Sequence, residues 1–93
     1  MFVLHVKIRM KPDALPSAER VFCGPFKAAI TAQPGFRDAQ LLRPTEAGEY
    51  VLSIAFENQA LQQQWVATDL HGEVWRQMEQ HFDGYNLAAF TTV

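Results

Sequence analysis

Between residues 49 and 56 the side chains alternate. Tyr50, Leu52, Ile54 and Phe56 fall on one face, and Val51, Ser53 and Ala55 on the other. A period of two is the signature of a strand. Residues 2 to 10 behave the same way. Phe2, Leu4, Val6, Ile8 and Met10 share one side, and Val3, His5, Lys7 and Arg9 share the other. The second face of such a sheet is smaller in side-chain volume, but Val3, Val51 and Ala55 keep it from being polar. A sheet that is apolar on both faces must be covered on both. That requirement limits the available folds more than any other feature of the chain.

The remaining elements supply cover for one face only. Lys11-Pro12-Asp13 ends the first strand. Asp13 is placed to cap a helix, and Pro16 suits its first turn. Leu15, Ala18, Phe22, Phe26, Ala29 and Ile30 then follow helical spacing, with a kink expected at Gly24-Pro25 and a stop at Gln33-Pro34-Gly35. Residues 36 to 43 read as a second strand and 44 to 48 as a turn. Asn58 can cap a helix holding Leu61 and Trp65 at i, i+4. Asp69 can cap another, whose inner stripe is His71, Val74, Trp75, Met78 and Phe82. Asp83-Gly84 is expected to turn the chain into a last strand over residues 85 to 93, with Leu87 and Phe90 on opposite faces. The order β-α-β-β-α-β over residues 1–93 predicts one domain of the α+β class. It is the ferredoxin-like arrangement, a four-stranded antiparallel sheet with helices on one face. A second copy of the chain is the simplest cover for the other face.

Composition removes several classes of function. A net charge of −2 with eight Lys and Arg scattered along the chain argues against a nucleic-acid surface. No apolar run is long enough to span a membrane, and Lys7 and Arg9 break the apolar start before a signal sequence forms. With a single cysteine, Cys23, no internal disulfide can form, and a cytoplasmic protein is the expectation. Cys23 lies mid-helix beside Phe22 and is expected to be a buried, inert thiol. The three histidines, at 5, 71 and 81, lack metal-ligand spacing, and the five glycines form no phosphate loop. Neither a metal nor an organic cofactor is expected. Gln62-Gln63-Gln64 reads as a solvated helix face, His5 as structural and His81 as a surface residue.

Four segments carry a resemblance. They are V-K-I-R-M-K-P-D near the start, Q-P-G-F after the first helix, Y-V-L-S-I-A-F-E-N in the central strand, and W-V-A-T-D-L-H. In their order and spacing the chain resembles the antibiotic biosynthesis monooxygenase domains over essentially its whole length. That resemblance implies a homodimer whose two sheets face each other in an α/β barrel. It also implies a pocket in each subunit between sheet and helices. Members differ in chemistry. Some oxidise aromatic polyketides or quinols with O2 and no cofactor, some open haem, and some have no assigned activity.

The haem-opening pattern places an Asn near Val6, a Trp at Trp65 and an iron-ligating His at Trp75. An indole N–H cannot ligate iron, so two of the three positions depart. His71, one turn earlier, is the remaining candidate ligand. The polyketide-oxidising pattern pairs the same Trp with a polar aromatic six residues later, which is His71. Its Asn, four residues before the Trp, falls at Leu61 and is missing. The resemblance therefore nominates Trp65 and His71 as catalytic residues, with an electron-rich aromatic and O2 as substrates.

Each nominated residue also has a structural reading. Trp65 fits an amphipathic core position as well as a pocket wall that donates its N–H. His71, in the first turn of a helix, is held toward the neutral imidazole that a general base requires, yet a half-exposed histidine is also ordinary there. Trp75 and Met78 continue that face as core or substrate-binding lining. Tyr85 begins the last strand, where a phenol can reach a pocket mouth. The alternative to an oxygenase is a non-catalytic dimer that binds a hydrophobic ligand.

Overall fold

A computed structural model describes residues 1–93. The alternating segments form four strands: β1 (Phe2–Met10), β2 (Phe36–Leu42), β3 (Tyr50–Phe56) and β4 (Phe82–Thr91). They pair antiparallel in the order β2-β3-β1-β4. The two strands with the clearest alternation thus lie at the centre of the sheet. Val6 faces Leu52 on one side and Leu87 on the other, and Ile8 faces Tyr50 and Tyr85. One side-chain layer is therefore continuous across three strands. The helices α1 (Leu15–Val21), α2 (Lys27–Thr31), α3 (Gln59–Val66) and α4 (Asp69–Glu79) pack on that layer. The fold is the ferredoxin-like α+β arrangement expected from the order of elements.

The core lies between this face and the helices. Ile8, Leu52 and Phe56 meet Phe26 and Ile30 from the first helical region and Trp65 and Met78 from the second, all fully buried. Burying each side chain of this size contributes roughly 1.5–3 kcal/mol. The kink expected at Gly24-Pro25 is present. Phe22–Phe26 forms a wide π-type turn between α1 and α2, and Gly24 leaves helical geometry at φ −98°, ψ −105°. Pro25 brings no amide hydrogen, so the regular ladder cannot run through it.

Four local expectations are corrected. Asp13 adopts φ 62° in the turn before α1, and the first helix starts from Ala14 with no side-chain cap. Aspartate tolerates that left-handed conformation, and the turn uses this rather than its carboxylate. Thr68, not Asp69, caps α4, because its extended backbone places the hydroxyl on the His71 N–H. Asp83-Gly84 is a bulge inside β4 rather than a turn before it. The register against β1 shifts between Arg9 and Met10, and β4 begins at Phe82. Cys23 is exposed, because the wide turn points Phe22 and Phe26 inward and leaves Cys23 between them on the outside.

The opposite face of the sheet has no helix. Val3 sits there between Ala55 and Phe90, and His5 between Ser53 and Ala88. The His5 and Phe90 rings meet edge to face at 5.0 Å, and Phe90 is 50% exposed. No helix of the protein is long and apolar enough to cross a membrane.

Candidate active site

The sequence binds the two short helices together through one side chain. The Thr68 hydroxyl donates to the Trp65 carbonyl oxygen at 2.8 Å and accepts from the His71 backbone N–H at 3.1 Å. It thereby closes the end of α3 and caps the start of α4. Asn58 caps α3 as its sequence suggests, accepting from the Leu61 N–H at 3.0 Å. These two caps fix the direction in which α3 aims Trp65 and α4 aims His71.

The rings that follow form a chain. Trp65 and His71 meet edge to face, with centroids 5.1 Å apart. His71 and Trp75 are nearly parallel at 6.4 Å, and Trp75 meets Tyr85 edge to face at 5.2 Å. The four rings run from the buried end of α3 to the partly exposed start of β4. They border a cavity of about 350 Å³ between the sheet and the helices. Val6, Phe26 and Ile54 form its floor, and Val66 and Leu87 stand at its exposed rim. That volume falls at the small end of the ~300–1,000 Å³ typical of small-molecule sites.

The polar groups of this cavity are few. The Trp65 side chain is 2% exposed. Its indole N–H is absent from the side-chain hydrogen bonds of the protein, yet no buried side-chain nitrogen or oxygen is both sealed and unpartnered. The N–H has no partner within the protein, and the ring that carries it lines the cavity. His71 is half-buried, and desolvation lowers its pKa from the ordinary 6.5. Its position at the helix start suggests the same direction, but burial is the cause. The imidazole is neutral at pH 7 and can accept a proton.

Four of the five nominated residues, Trp65, His71, Trp75 and Tyr85, come to this one cavity. Met78 does not. It is fully buried in the core, one turn beyond Trp75 and rotated away from the cavity wall. Of the glutamines read as solvated, Gln63 and Gln64 are exposed, but Gln62 is 9% exposed and lines the cavity. The signal was its spacing: Gln62 and Trp65 stand at i, i+3, one face of a helix. Leu61 turns the other way. It packs against Gly35, whose φ of 76° makes the turn into β2 and whose missing Cβ leaves room for the leucine. His81 is half-buried, and its carbonyl accepts from the Lys11 N–H at 2.9 Å. No group of three or more His, Cys, Asp or Glu side chains is gathered to hold a metal ion.

The family model described as antibiotic biosynthesis monooxygenase matches residues 1–77. A search of curated proteins by sequence returns no match. Among solved structures, the chain is similar to the cofactor-independent oxygenase SnoaB from Streptomyces nogalater. The TM-score is 0.84 and the identity 17%, covering 98% of this chain and 91% of that one. It is also similar to the heme-degrader MhuD from Mycobacterium tuberculosis, with TM-score 0.79 and 23% identity over 100% and 96% of the two chains. A conserved protein from Methanosarcina mazei Go1 matches with TM-score 0.85 and 11% identity over 99% and 92%. At these identities the likeness is one of fold.

Proposed function

The chain belongs to the antibiotic biosynthesis monooxygenase family, and from that premise we propose that it oxidises an electron-rich aromatic with O2 and no cofactor. The substrate would be an anthrone, phenol or hydroquinone. The single observation that supports this best is the neutral, desolvated His71 standing edge to face with Trp65 in one aromatic-lined cavity. His71 takes a proton from the substrate, leaving a carbanion or phenolate. That electron-rich anion passes one electron to O2, and the resulting radical and superoxide combine to form a C–O bond. His71 returns its proton as the O–O bond breaks. For an anthrone CH2, the remaining C–H bond breaks with the O–O bond, so that one oxygen atom ends in the new carbonyl and the other leaves as water carrying both protons. The Trp65 N–H stabilises the oxyanion of the deprotonated substrate, and the aromatic walls keep water from it.

The working unit in this reading is a homodimer. A second copy covers the helix-free face that carries Val3, Ala55 and Phe90, so that two sheets face each other. Incubation of the purified protein with a panel of anthrones and hydroquinones in air tests the chemistry, with quinone absorbance as the readout. Quinone formation that depends on His71 supports the reading. Saturable binding with no turnover across the panel would replace it with the alternative, a dimeric domain that holds an apolar ligand. Leu61 favours that alternative, since it stands where the oxidising pattern has an Asn. Haem opening would require His71 as the iron ligand, and a haem titration whose saturation is lost in His71→Ala would restore it.

A further inference from the structure

Gln62 is the one polar side chain of α3 that the fold buries without using. The residue is 9% exposed. Its carboxamide is absent from the side-chain hydrogen bonds of the protein, and it is not sealed off without a partner. The amide is thus unpaired within the protein, and the residue that carries it lines two voids. These are the aromatic cavity and the apolar groove at its mouth, which share Leu4, Val66 and Leu87. An amide among largely apolar neighbours is stabilised by any group that bonds to it. Nothing in this chain does.

One turn along the same face, the Trp65 N–H also has no partner within the protein, and its ring lines the cavity. An indole supplies a donor only, whereas a carboxamide supplies two donors and an acceptor. Resting on the proposed function, we propose that Gln62 is the specificity residue of this cavity. It selects planar aromatics with two oxygen substituents on one edge. One oxygen, a carbonyl or phenolate, accepts from Trp65. The other, a hydroxyl or carbonyl, pairs with the Gln62 amide. An aromatic with a single oxygen leaves the amide unpaired, and a site built to bond a polar group rejects the ligand that lacks it.

The test is anaerobic binding of 1,8-dihydroxynaphthalene, 1-naphthol and naphthalene, read by quenching of Trp65 and Trp75 fluorescence. The wild type is expected to prefer the diol over 1-naphthol by on the order of 3- to 10-fold, the range of one net hydrogen bond. Gln62→Met, close in shape and without the amide, is expected to bring that preference to about 1-fold. A second measurement requires no variant. In the wild type, the Gln62 side-chain NH2 resonances should move with the diol and stay in place with naphthalene. A preference that survives Gln62→Met, or Gln62 resonances that stay in place while the Trp65 indole resonance moves, overturns the assignment and leaves the aromatic site standing. If none of the three compounds binds the wild type, the aromatic-cavity reading fails and this assignment fails with it.

Discussion

His71 is where protonation enters the chemistry. Its pKa lies below 6.5 because burial disfavours the imidazolium. A base of this kind is already deprotonated at pH 7. Turnover is therefore expected to be flat above neutrality and to fall only at a pH below 6.5, as a kcat/KM profile on an oxidisable hydroquinone would record. His71→Ala is expected to lower kcat by ~10²–10⁴-fold. Stability follows the same linkage. Between 6.5 and the lowered native value, the unfolded chain binds a proton at residue 71 that the folded chain refuses. Stability thus falls as pH falls through that window, and above it residue 71 contributes no pH dependence. Urea midpoints at pH 7 and pH 5 should lie closer together in His71→Gln than in the wild type. Trp65→Phe keeps an aromatic ring at this position and removes the N–H with the five-membered half of the indole. If the N–H serves the oxyanion, kcat drops by about 10²-fold with KM little changed. A raised KM at unchanged kcat would reduce the ring to a wall.

At the scale of elements, the joint between α3 and α4 sets the site. Thr68 holds the Trp65 carbonyl and the His71 amide at once, so losing its hydroxyl frees the end of one helix and the start of the next. Thr68→Val is expected to cost ~1 kcal/mol, the usual value of a cap. In a chain of this size that lowers Tm by about 4–8 °C. Thr68→Ser should restore most of it, and a melt of the three proteins decides the matter. The same joint shows what was legible in the sequence and what was not. The i, i+4 and i, i+3 spacings placed Trp65, His71, Trp75 and Met78 on inward faces, but spacing gives a face and not a depth. Met78 went to the core and Trp75 to the cavity, a difference of depth that packing determines and spacing does not. Gln62 was hidden by its type, since a run of three glutamines reads as solvent-facing unless its phase against Trp65 is counted. Cys23 was misjudged from its place beside the apolar Phe22, because consecutive residues of a helical turn point to different sides and only Phe22 and Phe26 turn inward. Capping by Thr68 over Asp69 differs by one residue, a choice made by backbone angle rather than residue type.

For the whole molecule the open face of the sheet is the unresolved demand of the sequence. Alternation in β1 and β3 leaves apolar residues on both faces, and the helices cover only the face that carries Val6, Ile8 and Leu52. The other face presents Val3, Ala55 and the half-exposed Phe90 in one cross-strand row. Exposed apolar surface of this kind is stabilised by a partner, and a face that meets its own copy closes in a dimer without leaving a free surface. Phe90→Glu places a charge in that row at a position already half-exposed in the single chain, so the fold itself should survive. In a dimer the same charge is buried without a partner, at a cost on the order of 3–5 kcal/mol. At 1.4 kcal/mol per tenfold, the dimer weakens by about 10²–10⁴-fold. Light scattering at micromolar concentration should then show wild-type dimer and Phe90→Glu monomer, both with the far-UV spectrum of a folded α+β chain. Ala55→Glu, at a position already 7% exposed in the single chain, should be more severe and disturb the fold as well. A wild type that scatters as a single chain of 10.6 kDa would end the dimer proposal. The apolar row on the open face would then require a different covering partner.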